Sequence, residues 1–286
     1  MVEPLRFGLE AVRRALAEDH AREDVTTRLL GTVAGARVEA RFVAEGRFVV
    51  AGVPILATVF QELDAGATLT PCLAEGAWAE PGRGATVAVV HAVATAVLGG
   101  ERVALNFLQR LSGIATLTRG AVDAVRGTPA RITHTRKTTP GLRELELYAV
   151  RAGGGVPNRA SLAEAVLWKD NHWALLARDG GGGSLHATLR GVPRGVPVIV
   201  EVESEAQLEL ALAAGATHLL VDNQPPARVA AWARRAGPPL AVTIQASGGI
   251  TADNARAYAE AGASLIAIGA LTHSPPAAPI RCDIAS

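Results

Sequence analysis

The sequence predicts an α/β protein with a mostly antiparallel sheet near its N-terminus and a (β/α) barrel in the remainder. Strand-like alternation and β-branched runs, separated by Gly and Pro turns, fill residues 36–98. From residue 130 onward, short apolar runs alternate with helical stretches at intervals of roughly 20–25 residues, the length of a compact βα unit. Nearly every run ends in polar or glycine-rich residues, which is typical of a barrel whose active site lies at the carboxyl ends of its strands.

Composition limits the fold and the class of partner. The chain has 286 residues, 49% of them apolar and 19% charged, so a large core can form. Only 4% are aromatic, so Ala, Val, Leu and Gly provide most of the packing, which suits helices over a parallel sheet. A formal charge of +1 argues against a nucleic-acid-binding or membrane-surface protein, because such proteins usually carry a clear basic excess.

Neither a targeting segment nor a membrane span is predicted, and cysteine usage indicates a reducing compartment. The opening residues lack the apolar stretch of a signal peptide, and no window of about 18 uninterrupted apolar residues exists. Cys72 and Cys282 do not have the spacing of a metal site, and so few cysteines argue against a disulfide staple. We therefore expect a cytoplasmic protein.

The first part of the chain predicts one helix before the antiparallel sheet in the sequence and a second, longer helix after it. Apolar positions at helical spacing predict a helix over residues 5–19, which is followed by a polar corner at residues 24–27. The sheet over residues 36–98 leaves one face for a helix or a partner. A long helix is predicted over residues 101–126, with an interruption near Ser112-Gly113.

The remainder of the chain predicts six strands, with helices between the last four. The strands are predicted at residues 130–135, 165–171, 196–203, 218–223, 240–247 and 264–271. The helices are predicted from Ser204 to Gly215, from Pro226 to about Ala236, and from Thr251 to Gly262. Repeated βα units imply a parallel sheet with right-handed crossovers. An open doubly wound sheet is the alternative, but it would concentrate polar residues at one switch point instead of at many strand ends.

Cations occur at or near several predicted strand ends. The first barrel strand ends in Thr135-Arg136-Lys137, and the next one ends at Lys169. Arg159 comes just after a triple glycine, and Arg102 lies in the first half of the chain. Cations that converge on one cleft suit a ligand with several carboxylates or phosphates, since Arg supplies bidentate forks and Lys a point charge. Any one of them could be ordinary surface charge, but the repeated placement favours a binding site.

Carboxylates end two consecutive predicted strands. Glu201 and Asp222 are therefore expected to be lateral neighbours on the rim, where they could hold Mg²⁺ or accept hydrogen bonds from ribose hydroxyls. Glu203 faces the same side by the period of two and is a weaker candidate. The alternative is that these carboxylates pair with the nearby cations.

A glycine-rich turn predicts a phosphate site. Ser247-Gly248-Gly249 follows a strand and opens a helix, so its backbone N–H groups and the helix N-terminus favour an anion. Gly269 and Ala270 follow the next strand and could complete the site, although a plain tight turn is the alternative. His172 is a lone histidine, and such residues are more often structural than catalytic. The sequence contains no Ser-His-Asp arrangement, zinc cluster or GxGxxG motif after a strand, which disfavours a hydrolase, a metalloenzyme or a dehydrogenase.

Motifs along nearly the whole chain resemble the quinolinate phosphoribosyltransferase family, also called carboxylating nicotinate-nucleotide pyrophosphorylases. The specific motifs are ERVALNFLQ and TRKTTPG. Shorter matches follow in the family's order, namely AVRAGGG, LWKDNH, EVE, VDN, ASGGIT and GALTHS. The stretch ALAEDHAREDVTT is similar to the family's opening.

The resemblance implies an enzyme of NAD synthesis. It would convert quinolinate and phosphoribosyl pyrophosphate to nicotinate mononucleotide, pyrophosphate and CO₂, with Mg²⁺ as cofactor. The implied fold is an N-terminal α/β sandwich domain, residues 1–109, plus an incomplete (β/α) barrel, residues 110–286, with a C-terminal tail that can return to the first domain. The family forms homodimers or hexamers in which one subunit's N-terminal domain caps the partner's barrel.

The resemblance also implies a role for each candidate site residue. Lys137, Lys169 and Arg102 would be catalytic, with Arg102 reaching the neighbouring subunit's site. Glu201 and Asp222 would hold Mg²⁺, directly or through the substrate, and ribose hydroxyls. The substrate-binding set would be Arg102, Thr135, Arg136, Lys137, Asn158, Arg159, Lys169, Glu201, Asp222, Ser247, Gly248, Gly249, Gly269 and Ala270.

One position departs from the family pattern. The family usually has Asn-His-Arg after the triple glycine, whereas this chain has Pro157-Asn158-Arg159. An asparagine can donate a hydrogen bond, but it cannot carry charge. Two alternatives therefore stay open: a paralogue from molybdate-transport loci that uses a different acid, and a non-catalytic phosphate-binding barrel.

Overall fold

An antiparallel sheet and a parallel sheet organise the protein, as the computed structural model shows. The structure describes residues 7–82, 86–178, 184–237 and 241–285. It divides into two units. The first unit draws on Met1–Arg119, Thr138–Gly154 and Ser274–Ser286, and the second on Gly120–Lys137 and Gly155–His273. The domain boundary between residues 109 and 110 stays a prediction.

The first unit contains a four-stranded antiparallel sheet in the order β12-β1-β5-β3 and a separate β2-β4 pair. Strand β12 comes from the end of the chain and pairs with β1, from Ala40 opposite Ile284 to Ala44 opposite Ile280. The elements are α1 (Leu9–Glu18), α2 (Val25–Arg28), a 3₁₀ helix (Gly31–Gly35), β1 (Arg37–Ala44), β2 (Phe48–Val49), α3 (Val53–Leu63), β3 (Thr68–Pro71), β4 (Trp78–Ala79), β5 (Thr86–Val93), α4 (Ala94–Ala124, whose residues after Arg119 belong to the second unit), α5 (Arg143–Ala152) and β12 (Ile280–Ile284).

Helix α3 corrects the prediction that residues 36–98 consist of strands and turns. Its buried residues include Ile55, Leu56, Val59 and Phe60, which recur at the helical period of three to four. Phe60 packs against Phe42 of β1 with ring centroids 6.0 Å apart. Burying such a side chain contributes about 2 kcal/mol to folding. The β-branched residues of this segment also suit a strand, so the sequence pattern alone does not distinguish the two structures.

Helix α4 corrects a second prediction, since it begins at Ala94 and continues without a break past Ser112-Gly113. The Ser112 hydroxyl is fully buried; it accepts a hydrogen bond from the backbone nitrogen of Ala51 at 3.1 Å and donates one to that residue's carbonyl oxygen at 3.2 Å. An added Cβ on Gly113 would overlap the carbonyl oxygen of Pro276. These two small residues are therefore needed for close packing against the middle of the helix, and they do not mark an end of the helix.

The second unit contains a six-stranded parallel sheet in the order β6-β11-β10-β9-β8-β7. Each strand lies inside one of the six predicted runs, which confirms the α/β class and the parallel sheet. The elements are β6 (Arg131–Thr133), β7 (Val166–Trp168), α6 (Asp170–Arg178), α7 (Leu185–Leu189), β8 (Val198–Val202), α8 (Glu205–Ala213), β9 (His218–Asp222), α9 (Pro226–Ala236), β10 (Thr243–Ser247), α10 (Ala252–Glu260), β11 (Leu265–Ala267) and α11 (Ala270–His273).

Local signals at the helix ends explain why α8 and α10 begin and end where predicted. Ser204 forms a capping box with Gln207, and Thr251 forms one with Asn254. Gly215 and Gly262 follow the two helices at φ values of 80° and 96°, a left-handed conformation that glycine adopts at little cost. These helices return the chain to the sheet, so that successive strands deliver their carboxyl ends to the same edge. Among the described residues, none of the helices is long and apolar enough to cross a membrane.

Candidate active site

A cavity of about 880 Å³ lies within the second unit at the carboxyl ends of the parallel strands. Every barrel strand contributes to its wall or to the turn beside it. The predicted residues that line it are Thr135, Arg136, Lys137, Asn158, Arg159, Lys169, Glu201, Asp222 and Ser247. The structure therefore brings most of the predicted set together in one place.

Four cations line this cavity without an ion pair to any carboxylate in the part of the chain that the structure describes: Arg136, Lys137, Arg159 and Lys169. Arg136 Nε is buried and has no hydrogen-bond partner among the described residues. Arg159 donates from Nη1 to the carbonyl oxygen of Ala165 at 3.2 Å. Its pKa is lowered by burial and by the like charge of Arg136. The cavity thus contains a buried donor that lacks an acceptor, and two guanidinium groups that repel each other. Both features favour an anionic ligand.

Three carboxylates line the same cavity. Oxygens of Glu201, Glu203 and Asp222 all lie within 4.8 Å of one another. Burial first, and the charge of Asp222 second, raise the pKa of Glu201 to about 7. Glu203, the weaker candidate in the sequence, is thus part of the cluster. Hard oxygen ligands of this kind fit Mg²⁺, and a divalent cation would relieve their mutual repulsion.

The glycine turn after β10 is shaped by a close approach of two backbones. Gly248 and Gly249 have φ values of 91° and 62°. An added Cβ on Gly248 would lie 2.7 Å from the backbone nitrogen of Asn223, whereas one on Gly249 would meet nothing. Ser247, directly before them, lines the cavity. The turn therefore depends on glycine at 248 for steric reasons as well as for its conformation.

The turn after β11 lies against the side chain of Lys137. An added Cβ on Gly269 would lie 3.2 Å from Lys137 Cδ, and Ala270 begins the short helix α11. Thr272 Oγ1 donates to the carbonyl oxygen of Lys137 at 2.8 Å. Neither Gly269 nor Ala270 is among the residues that line the cavity, and the same holds for Gly248 and Gly249. These four predicted residues are therefore adjacent to the cavity-lining residues Ser247 and Lys137 without lining the cavity themselves.

Arg102 differs from the rest of the predicted set. It is exposed on α4 in the first unit and does not line this cavity. Its implied role involves a neighbouring subunit, so that role stays a prediction.

Gln245 and Asn223 are polar cavity residues that are not among the site residues predicted from the sequence. Gln245 lines the cavity although only 1% of it is exposed, and its Oε1 lies 2.8 Å from His218 Nε2. The signal for Gln245 in the sequence was its position, since it is a polar residue two positions before Ser247 and so lies on the same face of β10. Asn223 donates a hydrogen bond to Asp222 Oδ2 at 2.5 Å, and its own backbone is left-handed, with a φ of 51°. Its position beside a rim carboxylate was the corresponding signal.

His172 also lines the cavity, and its contacts explain its position. Its Nδ1 accepts a hydrogen bond from the backbone nitrogen of Lys169 at 3.2 Å, and its ring lies 5.3 Å from that of Trp168. These contacts hold the start of α6 and the backbone of a site lysine. They agree with the structural role that is usual for a lone histidine.

Comparisons with known proteins identify one family over nearly the whole chain. The family model described as quinolinate phosphoribosyl transferase, C-terminal domain, matches residues 114–283, and the N-terminal domain model matches residues 24–112. The nicotinate-nucleotide pyrophosphorylase [carboxylating] of Mycobacterium leprae is 40% identical over 96% of both chains. The probable enzyme of that name from Bacillus subtilis is 40% identical over 86% of this chain and 83% of its own.

Solved structures agree with the sequence comparisons. The crystal structure of nicotinate-nucleotide pyrophosphorylase from Ehrlichia chaffeensis superposes with a TM-score of 0.87 at 31% identity, covering all of both chains. NadC from Streptococcus pyogenes gives a TM-score of 0.87 at 30% identity, again over all of both chains. On the matches to both family models and to full-length relatives, the chain belongs to the quinolinate phosphoribosyltransferase family.

Proposed function

We propose that this chain is a decarboxylating phosphoribosyltransferase of NAD synthesis. It converts quinolinate and phosphoribosyl pyrophosphate to nicotinate mononucleotide, pyrophosphate and CO₂. The observation that carries the proposal is one cavity lined both by four cations without ion pairs and by three clustered carboxylates, within the part of the chain described. Two polyanionic substrates need the cations, and a ribose with an associated divalent ion needs the carboxylates.

The cations serve to bring two anions together. Arg136 and Arg159 present guanidinium groups that can take carboxylates in bidentate fashion, and Lys137 and Lys169 add point charges toward the pyrophosphate. Assembling these anions in water is unfavourable, so a fixed set of positive charges lowers the cost of the encounter and holds a near-attack geometry. We assign the acid to the arginines and the leaving group to the lysines.

The reaction needs little proton transfer from the protein. The pyridine nitrogen forms a bond to C1 of the ribose as the C1–oxygen bond breaks, and that electron pair leaves with pyrophosphate. The carbon–carboxylate bond then breaks, its electron pair stays on the ring carbon beside the positively charged nitrogen, and that carbon takes a proton from solvent. Lys137 and Lys169 stabilise the charge that develops on the leaving group. Their role is electrostatic, so no acid–base dyad is required.

Glu201, Glu203 and Asp222 would hold Mg²⁺, either directly or through the substrate, and would accept hydrogen bonds from ribose hydroxyls. When bound, the ion neutralises part of the leaving charge. The 5-phosphate is assigned to Ser247-Gly248-Gly249 and to the Gly269-Ala270 turn, where backbone N–H groups and the start of α10 favour an anion.

We further propose a homodimer, or a hexamer built from dimers, in which Arg102 enters the partner's site. Exposure of Arg102 on α4 is compatible with that role. The cytoplasm is the proposed compartment, because Cys72 and Cys282 are both free.

A panel of acids tests the proposed substrate. Pyrophosphate release from phosphoribosyl pyrophosphate is measured with quinolinate, nicotinate and other pyridine carboxylic acids. We expect quinolinate to be preferred over nicotinate by at least about tenfold in kcat/KM, since quinolinate offers two adjacent carboxylates to the arginine pair and nicotinate only one. Preference for another acid would support the molybdate-locus paralogue, and no turnover with any acid would support the non-catalytic barrel.

A further inference from the structure

Asn158 and His134 are joined by two hydrogen bonds beside the cavity. The backbone nitrogen of Asn158 donates to His134 Nε2 at 3.1 Å, and Asn158 Nδ2 donates to the carbonyl oxygen of His134 at 3.1 Å. His134 directly follows β6 and is only 2% exposed. A buried imidazole is thus tied to the residue that replaces the family's usual histidine.

The backbone donor fixes the state of the His134 ring. A backbone N–H can only donate, so Nε2 of His134 must be the acceptor and the ring proton must be on Nδ1. Nδ1 lies 3.3 Å from the carbonyl oxygen of Thr135, which is the position of an acceptor for that proton. His134 is not among the cavity-lining residues, so its ring serves the wall and not the ligand directly.

The side chain of Asn158, which is bonded to His134, also binds the backbone of Arg159. Asn158 Oδ1 accepts a hydrogen bond from the backbone nitrogen of Arg159 at 2.8 Å. Upstream, the backbone nitrogen of Val156 donates to Ile132 at 2.8 Å, and Thr133 Oγ1 donates to the carbonyl oxygen of Val156 at 2.8 Å. Residues 156–159 are therefore bonded along the edge of β6 up to the residue that lines the cavity.

A rigid backbone at Arg159 helps to hold two like charges in one cavity. Arg159 and Arg136 line the same cavity, and the charge of Arg136 opposes that of Arg159. Two like charges in a partly buried site separate unless the structure holds them. The Arg159 side chain is anchored at Ala165, so the remaining freedom lies in its own backbone. The bonds to Asn158 and His134 restrict that backbone.

We propose that His134 is a positioning residue for the acid substrate. Through Asn158 it fixes the backbone of Arg159 and so sets the direction from which that guanidinium meets a carboxylate. Asn158 then acts chiefly as the link, which explains how the site works without a histidine at position 158. The inference rests on the proposed function, because the ligand of Arg159 is taken to be a carboxylate of quinolinate.

Three variants test the role of His134 by steady-state kinetics. His134→Leu removes the acceptor, and His134→Gln keeps an acceptor near the position of Nε2. We expect His134→Leu to raise the KM for quinolinate about tenfold, as for a lost hydrogen bond, while the KM for phosphoribosyl pyrophosphate changes less than about twofold. His134→Gln should recover most of the loss. Asn158→Ala keeps the backbone bond and loses the link to Arg159, so it should also raise the KM for quinolinate selectively.

Amide hydrogen exchange gives a measurement that does not need turnover. We expect peptides over residues 156–165 to exchange faster in His134→Leu than in the wild type, with protection restored in His134→Gln. If His134→Leu does not fold, the Asn158→Ala kinetics decide. Unchanged quinolinate KM in a folded His134→Leu or Asn158→Ala variant, or an equal rise in both KM values, would overturn the inference. Failure of the wild type to use quinolinate would instead count against the proposed function, and the exchange result would still judge the link from His134 to Arg159.

Discussion

Asn223 packs so closely on Gly248 that a methyl group at position 248 would overlap the Asn223 side-chain oxygen and lie 2.7 Å from its backbone nitrogen. The same asparagine donates to the carboxylate of Asp222 at 2.5 Å. The acidic cluster and the glycine turn are thus joined through one residue. A disturbance of the turn is therefore expected to reach both the phosphate and the ribose end of the donor substrate.

Gly248→Ala tests this contact, and Gly249→Ala is the matched control. Both positions have left-handed backbones, so both substitutions incur about 1–2 kcal/mol of strain. Only Gly248 also meets a neighbour. We expect Gly248→Ala to lower kcat/KM for phosphoribosyl pyrophosphate at least about tenfold more than Gly249→Ala does. Equal losses in the two variants would mean that the close approach to Asn223 has no functional weight.

Lys137→Ala should lower kcat by about 100-fold while the thermal unfolding midpoint stays near that of the wild type. The physical reason is the loss of a positive charge beside the leaving pyrophosphate in a partly enclosed cavity. Arg131→Ala is the control, because Arg131 is an exposed cation at the opposite end of β6. Normal kinetics in Lys137→Ala would remove this lysine from the catalytic set.

Mixing two inactive variants tests the role of Arg102. If Arg102 completes the partner's site, a dimer of one Arg102→Ala chain and one Lys169→Ala chain carries one intact site and one doubly defective site. We expect mixed and re-equilibrated variants to regain up to about a quarter of wild-type activity, since half of the dimers are mixed and each has one intact site. No recovery, with exchange of subunits verified by mass, would argue against a shared site.

His218 predicts a dependence of stability on pH. Burial lowers its pKa below the ordinary value of 6.5, so the unfolded chain binds a proton at a higher pH than the folded one. Its contribution is therefore fully present above about pH 6.5 and is lost as the pH falls below that value. Urea unfolding of the wild type and of His218→Gln, which can still bond Gln245, measures the difference. Free energies of unfolding that fall in parallel for both proteins would contradict this assignment.

The barrel strands were predictable because they depend on local signals. Short apolar runs bounded by Ser204, Gly215, Thr251 and Gly262 specify both the strands and the helices between them. Helix α3 was not predictable in this way, since its apolar residues satisfy strand and helix patterns alike. The continuity of α4 through Ser112-Gly113 depends on close tertiary packing that no local pattern shows.

The candidate site was largely predictable because polar residues that follow an apolar strand must lie at its carboxyl end. That rule found Arg136, Lys169 and Asp222. It could not find Gln245, which lies inside a strand and points into the cavity only through the register of β10. Nor could it show that Asn158 bonds to His134, because the two residues are far apart in the sequence and meet only in the folded sheet.

Release of CO₂ from carboxyl-labelled quinolinate tests the proposed reaction most directly. We expect label to be released only when phosphoribosyl pyrophosphate is present, in equal amounts with pyrophosphate and nicotinate mononucleotide. Equal amounts are required because ring-nitrogen attack, loss of pyrophosphate and loss of CO₂ occur once in each turnover. Label release without phosphoribosyl pyrophosphate, or none in its presence with a folded protein, would contradict the assignment.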